Sequence, residues 1–194
     1  MIEVANLTKY FGKKCIFENY NNTFTAQKLC VEGQNGLGKT TLFTIIAGLD
    51  SFYSGHITLN GQQHAHLQSC VSLASDKIVF PEYLTAQQIL TMTASSWQCT
   101  LPQQFITDLC FDAFLHTQVE DLSSGNLKKL QLINAVMRNT PYLILDEPSA
   151  ALDKRGLDVV LEWICAYEGQ VIISNHEPQP FLDIGFDSQP LKKV

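Results

Sequence analysis

The chain has 194 residues, is 45% hydrophobic and 16% charged, and carries a formal net charge of −6. That much apolar content supports a buried core and excludes a disordered tract, while the acidic balance argues against a general nucleic-acid binder, so no nucleic-acid partner is expected. Met1 leads straight into a strand-like "IEVANL" with no signal-peptide pattern, and no run approaches the ~18 apolar residues that span a bilayer, so the expectation is a soluble chain or one held at a membrane through a partner.

In chain order, "IEVANL" and "CIFENYNNTFT" read as strands with turn chemistry between them at Phe11-Gly12-Lys13-Lys14. "KLCVE" is a short apolar strand ending at Gly33, and a helix is predicted to begin near Gly38. Strands are expected again at "HITLN" and "CVSLA". From about Ser75 to Glu120 the sequence reads helical, and between Tyr83 and Thr107 it holds no charged residue. Such a face fits a satellite subdomain or a docking surface, here with Phe80, Pro81 and Tyr83. Ser123 is a plausible N-cap, after which Leu127, Leu130, Ile133 and Met137 recur at helical spacing until Pro141. "YLILDEP" is an apolar strand ending in two acids. A helix over about Asp153–Tyr167, a strand "QVIIS" and then "NHEP" follow. Strands alternating with helices argue for an α/β fold with a parallel-containing sheet.

Six cysteines (Cys15, Cys30, Cys70, Cys99, Cys110 and Cys165) are scattered without C-x-x-C spacing, so zinc and redox motifs are not indicated. They read as small buried thiols of a reducing compartment. His64 and His66 read as part of a solvated loop.

The stretch "GQNGLGKTT" carries the chemistry. A polyphosphate needs many donors at short range, and backbone N–H groups supply them where no Cβ blocks the approach. A helix starting just after such a loop turns its positive end to the same place. Gly33, Gly38, Lys39 and Thr40 fill the pattern G-x-x-x-x-G-K-[ST]. The candidate nucleotide-binding residues are therefore Gly33, Asn35, Gly36, Gly38, Lys39, Thr40 and Thr41. Lys39 reaches the β- and γ-phosphates, and the Thr40 hydroxyl is a candidate Mg²⁺ ligand. Asp146, at the end of an apolar strand, is placed to hold Mg²⁺ through water. Glu147 beside it is a candidate for polarising an attacking water. ATP and Mg²⁺ are the expected cofactors.

The ordered set Gly-Gln-Asn-Gly-Leu-Gly-Lys-Thr-Thr, Leu-Ser-Ser-Gly-Asn, Leu-Ile-Leu-Asp-Glu-Pro, Ala-Ala-Leu-Asp and Ser-Asn-His resembles the ATP-binding subunits of ABC transporters over nearly the whole chain. The resemblance implies one ATPase domain over residues 1–194. It would have a P-loop NTPase core with a mixed or parallel sheet, an N-terminal antiparallel β subdomain and a small helical subdomain at about 75–125. It implies that Phe11, or alternatively Tyr10, stacks on adenine. Ser123 and the Gly125 amide would reach the γ-phosphate of ATP held by a second copy. His176 matches the switch histidine at the γ-phosphate, and Asp153 matches a residue that supports the dimer interface.

The sequence departs from the family in three places. Leu122-Ser123-Ser124-Gly125-Asn126 stands for Leu-Ser-Gly-Gly-Gln, Ala150 replaces a serine, and the glutamine expected after "CVSLA" is replaced by Ser75, Asp76 and Lys77. Counting back from "YLTAQQIL" puts Asp76 nearest that position, as a third candidate near Mg²⁺.

The implied activity is ATP hydrolysis by a homodimer or heterodimer closing head to tail around two ATP. The dimer would drive integral membrane transporter subunits from the cytoplasmic face, where the chain would be peripheral. "YLTAQQIL" and "NHEPQPF" resemble the ATPase of the haem-exporter-like complex of cytochrome c maturation. Two other readings stay open: a non-transport ATPase of a cytosolic assembly, and a catalytically weakened ATP-binding regulator.

Overall fold

The computed structural model describes residues 1–192. Two sheets form its frame. The first is antiparallel, in the order β2-β1-β4, from β1 (Ile2–Phe11), β2 (Lys14–Phe24) and β4 (Ser54–Leu59). The second is parallel throughout, in the order β5-β6-β7-β3-β8. Its strands are β3 (Lys28–Glu32), β5 (Val71–Ala74), β6 (Tyr142–Asp146), β7 (Gln170–Ser174) and β8 (Asp187–Pro190). The β1–β2 turn falls at Gly12-Lys13, as its composition predicts, with Gly12 at φ 58°.

Strands β6 and β7 are buried along their whole length, which explains their unbroken apolar sequences. The period-two alternation of a strand divides them between two cores. Tyr142, Ile144 and Ile172 face one cluster with Leu29, Val31, Phe17 and the α1 residues Leu42 and Ile45. Leu143, Leu145, Val171 and Ile173 face the other, with Leu130 and Ile133 of α4 and Val160 and Ile164 of α5. The parallel sheet is therefore covered on one face by α1 (Lys39–Ile46) and the antiparallel sheet, and on the other by helices.

Those helices are α2 (Ala86–Trp97), α3 (Gln103–Asp108), α4 (Ser124–Val136) and α5 (Lys154–Ala166), followed by the short α6 (Gln179–Leu182). Three have side-chain N-caps. Thr85 and Gln88 form a reciprocal capping box on α2. Ser123 accepts from Asn126 N on α4 at 3.3 Å, and Asp153 accepts from Gly156 N on α5 at 2.7 Å. Each satisfies one of the orphan donors of a first helical turn.

Three expectations need correction. The stretch from Ser75 to Glu120 is helical only in α2 and α3 and two single-turn 3₁₀ segments; the rest is turn and loop around Pro81 and Pro102. Phe80, expected on a docking surface, packs in the helical-side core, where only 9% of it is exposed. Among the cysteines only Cys30 is buried; Cys15, Cys110 and Cys165 are exposed and Cys70 and Cys99 are half-buried. Neighbouring apolar letters mislead here because a thiol can sit on the outward face of β2 or α5, between residues that point inward.

Candidate functional site

The parallel sheet places β3 and β6 on either side of β7, so the C-terminal ends of all three open on one edge. β3 feeds the loop from Gly33 to Gly38, and α1 starts at Lys39. Gly38 takes φ 99° as the N-cap, and an added methyl there would lie 2.9 Å from both Ile16 Cγ2 and Phe17 Cζ. The loop can thus pack against β2 only with a bare backbone at this point. The side chain of Lys39 turns back over the loop, its ammonium donating to Gly33 O at 2.5 Å and Gln34 O at 3.4 Å. The charge is held over the loop by the loop's own carbonyls.

Asp146 ends β6 and pairs in register with Ser174 at the end of β7. Its carboxylate is 7% exposed and held from two sides. Ser174 Oγ donates to Oδ1 at 2.6 Å and Ser75 Oγ donates to Oδ2 at 3.0 Å. Glu147 follows in a left-handed conformation, φ 52°, with its N–H donating to Ser174 O at 3.0 Å. That turn swings its carboxylate to His176. The His176 N–H donates to Oε2 at 3.2 Å, and the ring Nε2 lies 3.5 Å from Oε1. A non-glycine residue in this region costs of order 1–3 kcal/mol and is a mark of functional constraint.

These groups meet at one cavity of about 390 Å³. Asn35, Gly36, Gly38, Lys39, Thr40 and Thr41 line it from the loop and α1; Asp146, Glu147 and His176 line it from the strand ends. Gly33 joins through its carbonyl on Lys39. Lys14 and Ile16 of β2 line it too. Sequence pattern had marked Lys14 only as a turn residue; its charge in the "FGKK" turn was the available signal. Thr40 and Asp146 are hard oxygen donors on the same cavity, the donor type Mg²⁺ takes. Two of the roughly four lone-pair sites of Asp146 are used by the serines, which leaves capacity for a metal or its water. The residues therefore fit that ion.

A family model described as "ABC transporter" matches residues 20–150. The chain belongs to the ABC transporter family. An uncharacterized ABC transporter ATP-binding protein of Methanocaldococcus jannaschii is 29% identical over 182 residues, 91% of this chain and 68% of its own length. The cytochrome c biogenesis ATP-binding export protein CcmA of Vibrio cholerae is 29% identical over 209 residues, with 100% of this chain and 97% of its own length covered. The fold is that of solved ATP-binding cassettes. An ATP-binding subunit of an ABC transporter superposes with a TM-score of 0.84 at 21% identity, over 99% of this chain and 86% of that one. A dimeric post-hydrolysis cassette bound to ADP and Pi superposes with 0.81 at 18% identity, over 100% and 95%.

The remaining family positions lie outside the cavity. Ser123 and Gly125 sit at the start of α4, away from Lys39 and Asp146, with Ser123 exposed. Gly125 packs so tightly on the segment between β6 and α5 that a methyl there would lie 2.7 Å from Ala151 O. Asp153 ends that same segment between β6 and α5 and caps α5. Phe11 and Tyr10, 53% and 48% exposed, line an adjoining hollow of about 710 Å³ that shares Thr40 and Thr41 with the cavity. Lys9 Nζ lies 4.7 Å from the Phe11 ring centroid. Both aromatic residues thus lie on a hollow that adjoins the cavity at the start of α1.

Asp76 is corrected. It does not line the cavity: its Oδ1 accepts from the buried Lys128 Nζ of α4 at 2.6 Å. β5 ends at Ala74, beside Leu145 of β6, so the next residue, Ser75, is the one that meets Asp146.

Proposed function

We propose that this chain is the ATP-hydrolysing subunit of an ABC transporter. The observation that supports this best is the convergence of Lys39, Thr40, Asp146, Glu147 and His176 on one cavity beside a glycine-rich loop. The loop amides and the start of α1 receive the phosphates, and Lys39 leaves its carbonyl partners for the β- and γ-oxygens. Thr40 and Asp146 would hold Mg²⁺, which when bound supplies positive charge to the phosphate oxygens. Glu147 takes the proton of a water aimed at the γ-phosphorus, and His176 fixes the Glu147 carboxylate and meets the γ-phosphate.

Ser123 and Gly125 stand apart from this cavity at the start of a helix. They can serve an ATP only from a second subunit, which makes a head-to-tail dimer, of two copies or of two related subunits, the reading we adopt. The partner that the dimer drives is an integral membrane protein on whose cytoplasmic side the chain sits, a reading supported by the family match and the likeness to an ATP-binding export protein; no helix among the described residues is long and apolar enough to cross a membrane. Val79, Tyr83 and Met92, at 82%, 72% and 57% exposure, are the apolar groups offered to that partner around the uncharged stretch. The full-length match to an export protein supports an export role in the same subgroup.

The test is phosphate release by the purified chain, alone and with its membrane partner, for wild type and E147Q. Wild type is expected to turn over, while E147Q binds ATP, releases no phosphate and runs as a dimer. Phosphate release retained in E147Q would remove Glu147 from its role.

A further inference from the structure

Ser75 is 1% exposed and lies one residue beyond β5. Its hydroxyl has a fixed sense. Lys77 N donates to Ser75 Oγ at 3.3 Å, so the serine proton is left to go to Asp146 Oδ2 at 3.0 Å. Ser174 Oγ holds the other carboxylate oxygen at 2.6 Å. The two donors approach from the strands on either side of β6, β5 and β7. A hydrogen bond on each oxygen restrains the carboxylate against rotation about its last bond. The next residue moors the loop that carries Ser75: Asp76 Oδ1 accepts from Lys128 Nζ at 2.6 Å, and Lys128 is itself 4% exposed on α4.

We propose that Ser75 is a positioning residue for the divalent cation of this site, fixing Asp146 together with Ser174 in the orientation that meets the metal or its water. The proposal rests on the nucleotide-site reading above. A group that orients a ligand is conserved in effect by its donor and not by its size, and loss of such an outer partner lowers metal affinity by about 10–100-fold.

The experiment is a magnesium titration of a fluorescent N-methylanthraniloyl-ATP bound to the full chain, with a second measurement of nucleotide affinity in EDTA. S75A is expected to raise the magnesium midpoint about tenfold, with EDTA affinity within about twofold of wild type because the phosphate loop is untouched. S75T keeps the donor and is expected to restore the midpoint. S174A, which removes the other donor, is expected to shift it in the same direction as S75A and serves as the second arm should S75T fail to fold. A midpoint unmoved in S75A overturns the proposal, as does an S75A variant that loses affinity equally in EDTA, which is the mark of a merely structural role. A wild-type chain that takes up no nucleotide overturns the nucleotide-site reading and this proposal with it, so the two failures are told apart.

Discussion

Glu147 and His176 form a clasp. The imidazole Nε2 lies 3.5 Å from one carboxylate oxygen while the histidine N–H donates to the other at 3.2 Å. Each residue thus holds the other's position over the cavity. Groups that act as a unit show non-additive losses. H176A is expected to lower turnover by about 10²-fold or more with ATP affinity little changed. E147Q is expected to fall further, and the double variant no lower than E147Q alone. Steady-state phosphate release at saturating ATP measures all three. A double variant whose loss is the product of the two single losses would show that they act separately.

Lys9 is a second case where geometry sets the outcome. It is 3% exposed, and its ammonium meets both oxygens of Asp50, at 2.8 and 2.6 Å, and Phe52 O at 2.9 Å. Removing one partner of a buried pair leaves the other uncompensated, at about 3–5 kcal/mol. K9M is expected at the lower end, because Asp50 keeps 18% exposure. Adding D50N is expected to restore part of the loss. Urea unfolding of the single and double variants checks this, and a K9M chain as stable as wild type would refute it.

Much of the site was legible because its signals are local. A glycine loop followed by Lys39 and Thr40, or two acids closing an apolar strand, names its chemistry from spacing alone. The cap Ser123 was legible for the same reason, as it acts within three residues; Asp153, read as the start of a helix, proves to cap it through Gly156 N. Ser75 was not legible, because its role is set by strand register: β5 pairs Ala74 with Leu145, and the residues just beyond them meet. Counting back from "YLTAQQIL" crosses an irregular turn, where Ile78 N donates to Ser75 O, and points to Asp76, whose carboxylate the fold turns to Lys128 and not to the cavity. Phe80 was misplaced because a stretch without charge looks like a surface for a partner, while the residue itself packs in the helical-side core. β8 carries the polar letters "DSQP" and is an edge strand, so no apolar pattern announced it.

Gly125 gives a steric prediction. With Ala151 O 2.7 Å from where a Cβ would stand, G125A must push the start of α4 away from the segment leading into α5. Overpacking of this kind costs about 1–3 kcal/mol. In a chain of this size that lowers the melting temperature by roughly 2–4 °C per kcal/mol. Thermal melting followed by circular dichroism measures it. An unchanged melting temperature would mean that the helix start shifts freely.

The cysteines divide by exposure, and the division predicts both reactivity and pH dependence. Thiolate is the reactive form. Burial within the core pushes the Cys30 thiol up from 9.0 to about 11, with the Glu32 carboxylate adding to the effect. Cys15, Cys110 and Cys165 are exposed. Iodoacetamide at pH 8 is therefore expected to modify those three in the folded chain and Cys30 only after unfolding, as read by peptide mass mapping. Between pH 9 and about 11 the unfolded chain has released the Cys30 proton while the folded chain still holds it. The unfolded state then binds fewer protons, and stability falls as pH rises. The contribution is whole below pH 9 and gone above about 11. The buried Tyr20 and the half-buried Tyr167 shift upward as well, so the comparison that isolates Cys30 is wild type against C30A, unfolded in urea at pH 8 and pH 10. C30A is expected to lose less stability between the two pH values than wild type. Equal losses, or labelling of Cys30 in the folded chain as fast as Cys165, would show that the thiol is not shielded.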